Sequence, residues 1–237
     1  MRLSLVLSLM LSFLWTAGCE PVRELIETGS GGAKLTEDEV IAGLRQALEV
    51  GAESAGDQAS EEGGFYDNPR LFIPFPEDMD RVEETLRGLG LNTLVDNFIE
   101  QLNRSAEQAA ADAAPIFLNA IGRITIQDGL DILQGPDHAA TRYLQRQTST
   151  ELAAAFRPVI EQAMEATLAT RYWENIATRY NQIPLAANVE TDLTGYTTNR
   201  AIDGLFVLIE EAEREIRNNP AARGTDLLRR VFGGQDE

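Results

Sequence analysis

Residues 36–48 have the sequence TEDEVIAGLRQAL, which contains every signal that begins an amphipathic α-helix. Thr36 and Glu39 have the spacing of a capping box, in which each side chain accepts a hydrogen bond from the other residue's backbone N–H. The apolar residues of one helix face follow at three- and four-residue spacing: Val40, Ile41, Leu44, Ala47 and Leu48. The stretch therefore predicts a capped helix that runs to the glycines near Gly51 and Gly56.

Similar periodicity recurs through the rest of the chain and predicts an all-α fold. Further apolar stripes span residues 79–89, 94–102, 152–164, 172–180 and 202–216. Helix starts are predicted at Pro115, at Thr125 and Asp128, at a second capping box formed by Thr148 with Glu151, and at Thr225. Pro158 interrupts one stripe and predicts a kink or a helix restart. We predict a single multi-helix domain over residues 36–233.

One long segment between the predicted helices, residues 57–76, is rich in aromatic residues and proline. Its prolines exclude a helix and a central strand, and leave room for a short edge strand. Such a stiff loop offers apolar area with polar handles, so it is a candidate binding segment. Its candidate residues are Phe65, Tyr66, Asn68 and Arg70.

The alternative is that this loop only fills the core with Phe72, Ile73 and Phe75. We expect Phe72 and Phe75 to lie in the core, and Tyr66 to be at least partly exposed. A second binding candidate is the recurrent pairing of arginine with aromatic residues, because both bind anionic or sugar groups. It comprises Arg142-Tyr143, Arg171-Tyr172-Trp173 and Arg179-Tyr180. These arginines could equally pair with carboxylates of the acidic chain.

The N-terminus predicts export. Residues 1–18 contain a positive start, an apolar run and three small residues, which is typical of a signal peptide. Cys19, the only cysteine, follows directly and resembles the lipidated first residue of bacterial lipoproteins. We expect acylated Cys19 to anchor the protein to the outer membrane on the periplasmic side, with residues 19–35 as a tether. Cleavage by an ordinary signal peptidase, which would leave a soluble periplasmic protein, is the alternative.

The charge excludes nucleic acid as an expected partner. Without residues 1–18, which contain one base and no acid, 19 bases face 38 acids, a formal charge of −19. Such a surface repels nucleic acid and anionic headgroups.

Motifs for catalysis or metal binding are lacking in the sequence. His138 is the only histidine, and no Gly-x-Ser-x-Gly elbow supplies a nucleophile. We expect no cofactor and no metal, because one histidine and no free cysteine leave only carboxylates as zinc ligands. Paired acids such as Asp128 and Asp131 could hydrolyse glycosides, but they are more typical of helix N-termini. Glu213 and Arg217, four residues apart, are interpreted as part of a solvated helix face.

Several segments in fixed order resemble the bacterial family called domain of unknown function 4197, across nearly all of residues 36–233. They are GFYxNP with IPxP (64–76), PIFLxAI (115–121), AATxY (139–143), YNxxP (180–184), AxDGLF (201–206), and IRxNPAAR with TDLL (216–228). The resemblance implies an exported, helical, single-domain protein, and it implies no activity.

Our leading hypothesis is a non-enzymatic envelope lipoprotein that binds an unknown envelope protein or ligand through the aromatic loop and adjacent helices. One alternative is a hydrolase that acts on an envelope polymer through paired carboxylates. Another is a structural spacer without a specific ligand.

Overall fold

Nine α-helices account for most of the residues that a computed structural model describes, which are 36–76, 79–166, 168–182 and 192–233. The helices are α1 (Glu37–Ser60), α2 (Asp80–Gly88), α3 (Asn92–Ala110), α4 (Ala113–Gly122), α5 (Ile126–Gln134), α6 (Ala139–Ala166), α7 (Ala169–Asn181), α8 (Leu193–Asn218) and α9 (Asp226–Gly233). A short 3-10 helix, Pro220–Ala222, joins the last two. The predicted signal peptide and tether, with Cys19, lie outside the described residues.

The all-α prediction is confirmed. None of the described residues forms a strand, so the edge strand allowed for the loop is not observed in residues 61–76. The core lies where α8 packs against α6, α1 and α3, with α4 and α7 closing its sides. Its centre holds aromatic rings from different helices, such as Phe117 on α4 and Phe206 on α8, whose centroids are 5.7 Å apart.

One of the two predicted capping boxes is confirmed, and the helix start predicted at Thr125 forms a capping box as well. Thr36 and Glu39 exchange the two expected hydrogen bonds at the start of α1, and Thr125 and Asp128 do so at the start of α5. The box predicted at Thr148 is wrong, because α6 is already helical there. The Thr148 hydroxyl instead donates to the carbonyl of Leu144, 2.7 Å away, inside the helix.

Helix α1 continues through Gly51 and Gly56 to Ser60, beyond its predicted end. A Cβ added at Gly51 would lie 3.3 Å from the Ala212 Cβ of α8, and one at Gly56 would lie 3.6 Å from the Ala114 Cβ of α4. These glycines therefore let neighbouring helices approach α1 closely. Packing outweighs their low helix propensity, which costs roughly 1 kcal/mol per glycine.

Helix α6 likewise runs unbroken through Pro158, so the predicted helix restart does not occur. A proline in a helix leaves the carbonyl four residues earlier without its usual donor. Here that residue is Ala154, and both Ala154 and Pro158 are exposed. Water can therefore satisfy the carbonyl, which lowers the cost of the interruption.

Among the described helices, none combines the length and the apolar character that crossing a membrane requires.

Candidate functional site

The segment between α1 and α2, residues 61–76, is termed the aromatic loop. From residue 71 to residue 75 its side chains alternate: Leu71, Ile73 and Phe75 are buried, while Phe72 and Pro74 are half-buried. The prediction that Phe75 is a core residue is confirmed. The prediction that Phe72 also lies in the core is wrong, since Phe72 packs against the core but is only half-buried. Phe72 and Phe75 are three residues apart in an extended segment, and such residues lie on opposite sides.

Asn103, on α3 and fully buried, holds the middle of this loop. Its Oδ1 accepts from the Ile73 backbone N–H at 2.8 Å, and its Nδ2 donates to the carbonyls of Ile73 and Ile99, both at 2.8 Å. One side chain thus satisfies both backbone groups of a buried loop residue, which would otherwise be costly to desolvate.

Glu107, one helical turn further along α3, holds the start of the loop. Its Oε1 accepts from the backbone N–H groups of Phe65 and Tyr66, at 3.2 and 3.1 Å. Its Oε2 accepts from Arg104 at 2.9 Å, so the buried carboxylate is both hydrogen-bonded and paired. This combination meets the condition under which a charge is tolerated inside a protein.

The aromatic loop, α2 and α3 enclose an open cavity of about 260 Å³, termed the Tyr66 groove. Its lining residues are Tyr66, Phe72, Pro74, Phe75, Glu83, Arg87, Asp96 and Ile99. On the α8 side, the Tyr196 hydroxyl donates to the Pro74 carbonyl at 3.0 Å, which fixes the loop at this wall.

Arg87 occupies the polar side of the Tyr66 groove. It donates to Glu83 and to Asp96, each at 2.8 Å. The hydrogen bond to Glu83, and next the one to Asp96, raise the pKa of Arg87 above its ordinary value. The guanidinium is therefore permanently charged and is engaged by two carboxylates.

Tyr66 forms the rim of the groove, as its half-buried side chain shows. Its prediction as a partly exposed residue is confirmed. The guanidinium of Arg104 lies over the Tyr66 ring, 5.7 Å from the centroid, and the Phe72 ring lies 6.1 Å away. The cation–π contact and the Glu107 hydrogen bond together hold the ring in one place.

The other candidate binding residues of the aromatic loop do not line the Tyr66 groove. Phe65, a candidate binding residue, does not reach the surface: its side chain is fully buried, and its ring lies where a Cβ on Gly204 of α8 would come within 2.8 Å. Asn68 accepts hydrogen bonds from the backbone N–H and Nε of Arg70, and Arg70 forms an ion pair with Glu211 of α8. These two residues fasten the loop to α8 instead of lining the groove.

The aromatic residues of the arginine pairs belong largely to the core. Tyr143 and Tyr180 are buried, while Tyr172 and Trp173 are half-buried. Burial, followed by the neighbouring Asp128, raises the pKa of Tyr143. Trp173 packs on Phe98 of the core, with centroids 5.5 Å apart. The structure does not bring these residues together into one site, and none of them lines the Tyr66 groove.

The sequence-based predictions did not include Asn103 and Glu107 of α3, although the spacing of residues along this helix indicates that both are buried. Val95, Ile99, Asn103 and Glu107 are each four residues apart, so the two polar residues continue the buried apolar row of α3. A polar residue in phase with a core stripe must find a buried partner.

The prediction that Glu213 and Arg217 belong to a solvated helix face is wrong, and the same four-residue spacing indicates it. They follow Leu205 and Ile209 at four-residue spacing, and both are buried. Glu213 accepts from Arg217 at 2.9 Å and from the first backbone N–H groups of α6, at Ala140 and Thr141. This pair caps a helix inside the protein; it is not a solvated face.

The described residues contain no group of three or more histidine, cysteine or acidic side chains placed to hold a metal ion. His138 lies in the turn that precedes α6.

Fold and groove together define a class: a single-domain, all-α protein with a surface groove beside an aromatic loop. The chain belongs to the family described as "Protein of unknown function (DUF4197)", whose model matches residues 34–233. The resemblance drawn from its sequence segments is thereby confirmed. Neither a curated protein nor a solved structure matches the chain.

Proposed function

We propose that this protein is a non-enzymatic binding module of the bacterial envelope, held by a lipid on Cys19, and that it binds its partner in the Tyr66 groove. The anchoring of the aromatic loop carries this proposal. Buried Asn103 and Glu107 satisfy the loop backbone, while Tyr66 and Phe72 remain half exposed at the groove. A loop held in one conformation loses little conformational entropy on binding, which favours affinity.

The position of Cys19 supports the anchor. It follows an apolar run and three small residues, and residues 20–35 would span about 50 Å when extended. Two or three acyl chains hold a protein stably on a membrane, since each buried CH₂ contributes ~0.8 kcal/mol. We expect mass spectrometry of the mature N-terminus to find acylated Cys19 and an outer-membrane, periplasmic protein. An unmodified Cys19 would remove the anchor from the proposal and leave the soluble periplasmic alternative.

A hydrolase is less well supported. Glycoside hydrolysis needs one carboxyl group held in its protonated form as the general acid. Instead, both groove carboxylates, Glu83 and Asp96, accept hydrogen bonds from the guanidinium of Arg87. A pure spacer is also less well supported, because it would not need a cavity lined by half-exposed aromatic rings.

Site-specific photo-cross-linking in cells tests the binding site. A benzophenone amino acid replaces Phe72 of the full-length protein, and a matched control carries it at Val50, an exposed residue of α1. We expect one discrete adduct from position 72 and a different pattern from position 50. We also expect Tyr66→Ala to abolish the position-72 adduct in protein that circular dichroism shows to be folded. The same adducts from both positions, or no adduct from position 72, would refute the groove as the binding site.

A further inference from the structure

The Tyr66 groove has an apolar base and a charged rim. Phe75 and Ile99, both buried, form the base, while Tyr66, Phe72 and Pro74 line the wall. The volume of the groove is about 260 Å³. This space accommodates one or two side chains of a partner.

The charges around the groove are predominantly negative. Glu83 and Asp96 surround Arg87. Arg104, whose guanidinium lies over the Tyr66 ring, is within 4 Å of Glu62, Glu100 and Glu107. Two guanidinium groups therefore face five carboxylates, and each guanidinium contacts at least two of them.

This arrangement disfavours anionic ligands and favours cations. A phosphate or a carboxylate would have to displace an existing ion pair and would meet the surrounding acids. A cation would find carboxylates that water still reaches: the side chain of Asp96 is 55% exposed and that of Glu62 is 90% exposed. Charge complementarity of this kind steers association and selects partners.

We propose that the occupant of the Tyr66 groove is a segment of a partner polypeptide with an apolar side chain flanked by lysine or arginine. The apolar side chain packs against the partly exposed Tyr66, Phe72 and Pro74, and the cations lie near Asp96 and Glu62. This inference rests on the proposed function, and it names the partner's chemistry. A second copy of this chain is disfavoured, because each copy carries a large negative charge.

Fluorescence anisotropy with synthetic peptides tests the inference. The probe is a labelled Gly-Lys-Leu-Phe-Lys-Gly peptide; its comparison peptides replace both lysines by glutamate, or Leu-Phe by Ser-Ser. We expect the lysine–apolar peptide to bind at least tenfold more tightly than either comparison peptide. A glutamate peptide that binds equally well, or a Ser-Ser peptide that does, would overturn the inference.

Charge-matched variants separate groove binding from general attraction to an acidic protein. Asp96→Asn removes a rim charge, whereas Glu53→Gln removes one from the exposed face of α1. We expect Asp96→Asn to weaken peptide binding about fivefold, and Glu53→Gln to leave it nearly unchanged. Equal weakening would show non-specific attraction and would overturn the inference. If the protein shows no preference for the lysine peptide but position 72 still forms its adduct, only the proposed chemistry of the partner is refuted. If position 72 forms no adduct, the proposed function is refuted.

Discussion

At the residue scale, two polar side chains of α3 decide the conformation of the aromatic loop. Asn103 pairs with the backbone of Ile73, and Glu107 with that of Phe65 and Tyr66. No apolar residue could replace them, because the buried backbone groups of the loop would then be left without partners. The proposed binding surface therefore depends on these hydrogen bonds, which hold the loop in its conformation.

Asn103→Ala leaves the N–H and the carbonyl of Ile73 unpaired in the core. We expect a loss of about 2–4 kcal/mol of unfolding free energy, at about 1–2 kcal/mol for each of the two buried unsatisfied groups. This corresponds to a decrease of roughly 5–15 °C in melting temperature, measured by circular dichroism. The control is Asn119→Ala, at an exposed position of α4, where alanine is neutral or slightly stabilising. Equal effects of the two substitutions would contradict the role of Asn103.

Glu213→Ala removes one partner of a buried ion pair and leaves Arg217 as an isolated buried charge. We expect a cost of about 3–5 kcal/mol, measured by chemical denaturation. In a double-mutant cycle, Arg217→Ala costs less unfolding free energy in the Glu213→Ala variant than in the wild type, because it removes the isolated charge. Glu210→Ala, on the exposed face of α8, serves as the control and changes stability by less than about 0.5 kcal/mol.

At the element scale, close approach between the loop and α1 depends on Gly64. A Cβ at this position would lie 2.5 Å from the Gln58 carbonyl oxygen and 2.6 Å from that of Ala59. Both atoms belong to the last turn of α1, so they cannot move without unwinding it. We expect Gly64→Ala to cost about 1–3 kcal/mol, in the range of other overpacking substitutions.

Thermal unfolding of a matched variant tests this explanation. Gly88→Ala, at the end of α2, places its Cβ where no atom lies within 4 Å. It is therefore expected to be neutral or to stabilise by up to ~1 kcal/mol through helix propensity. If both variants melt at the same temperature, the contact with α1 is not what requires Gly64.

The capping box of α5 predicts a pH effect. Hydrogen bonds from the hydroxyl and the backbone N–H of Thr125 lower the pKa of Asp128. Because the folded-state pKa is depressed, this contribution to stability is present above the ordinary aspartate pKa of about 3.9 and is lost as the pH falls through the lower folded value. We expect Thr125→Ala to cost about 1 kcal/mol at neutral pH.

An NMR titration provides the direct measurement. In Thr125→Ala the midpoint of the Asp128 carboxyl moves up towards its ordinary value, whereas Thr36→Ala, which disrupts the other capping box, leaves it unchanged. An Asp128 titration that is identical in wild type and Thr125→Ala would rule out the hydroxyl as the principal cause.

The helices that the sequence predicts correctly are those with local signals. The start of α5 follows from two residues three apart, Thr125 and Asp128, because a capping box needs no partner elsewhere in the chain. Thr148 has the same spacing with Glu151, but α6 begins at Ala139, where Glu213 of the distant α8 caps it. The Tyr66 groove is equally difficult to predict from local signals, because its charged side chains come from α2 and α3. The sequence of the loop alone indicates only the aromatic side chains of the groove.

At the scale of the whole molecule, the dominant electrostatic feature is negative charge. The chain has 38 acidic and 20 basic residues. Four carboxylates lie at four-residue spacing along one row of α1 and the residue that follows it: Glu49, Glu53, Asp57 and Glu61. Like charges at this spacing destabilise a helix by a few tenths of a kcal/mol per pair. The fold therefore retains self-repulsion that its packing must offset.

Salt should relieve this repulsion. Raising NaCl from 0.1 M to 1 M shortens the Debye length from about 10 Å to about 3 Å, which is less than the spacing of neighbouring carboxylates on α1. We expect the melting temperature of residues 20–237 to rise, by about 2–4 °C for each kcal/mol of repulsion that is screened.

A variant with Glu49→Gln, Glu53→Gln and Asp57→Asn keeps the helix but lacks most of the row. It is expected to melt higher than the wild type at 0.1 M NaCl and to gain less from added salt. If the variant and the wild type respond to salt with the same slope, screening acts elsewhere than on α1. A melting temperature that does not change with salt would show that self-repulsion does not limit the stability of this protein.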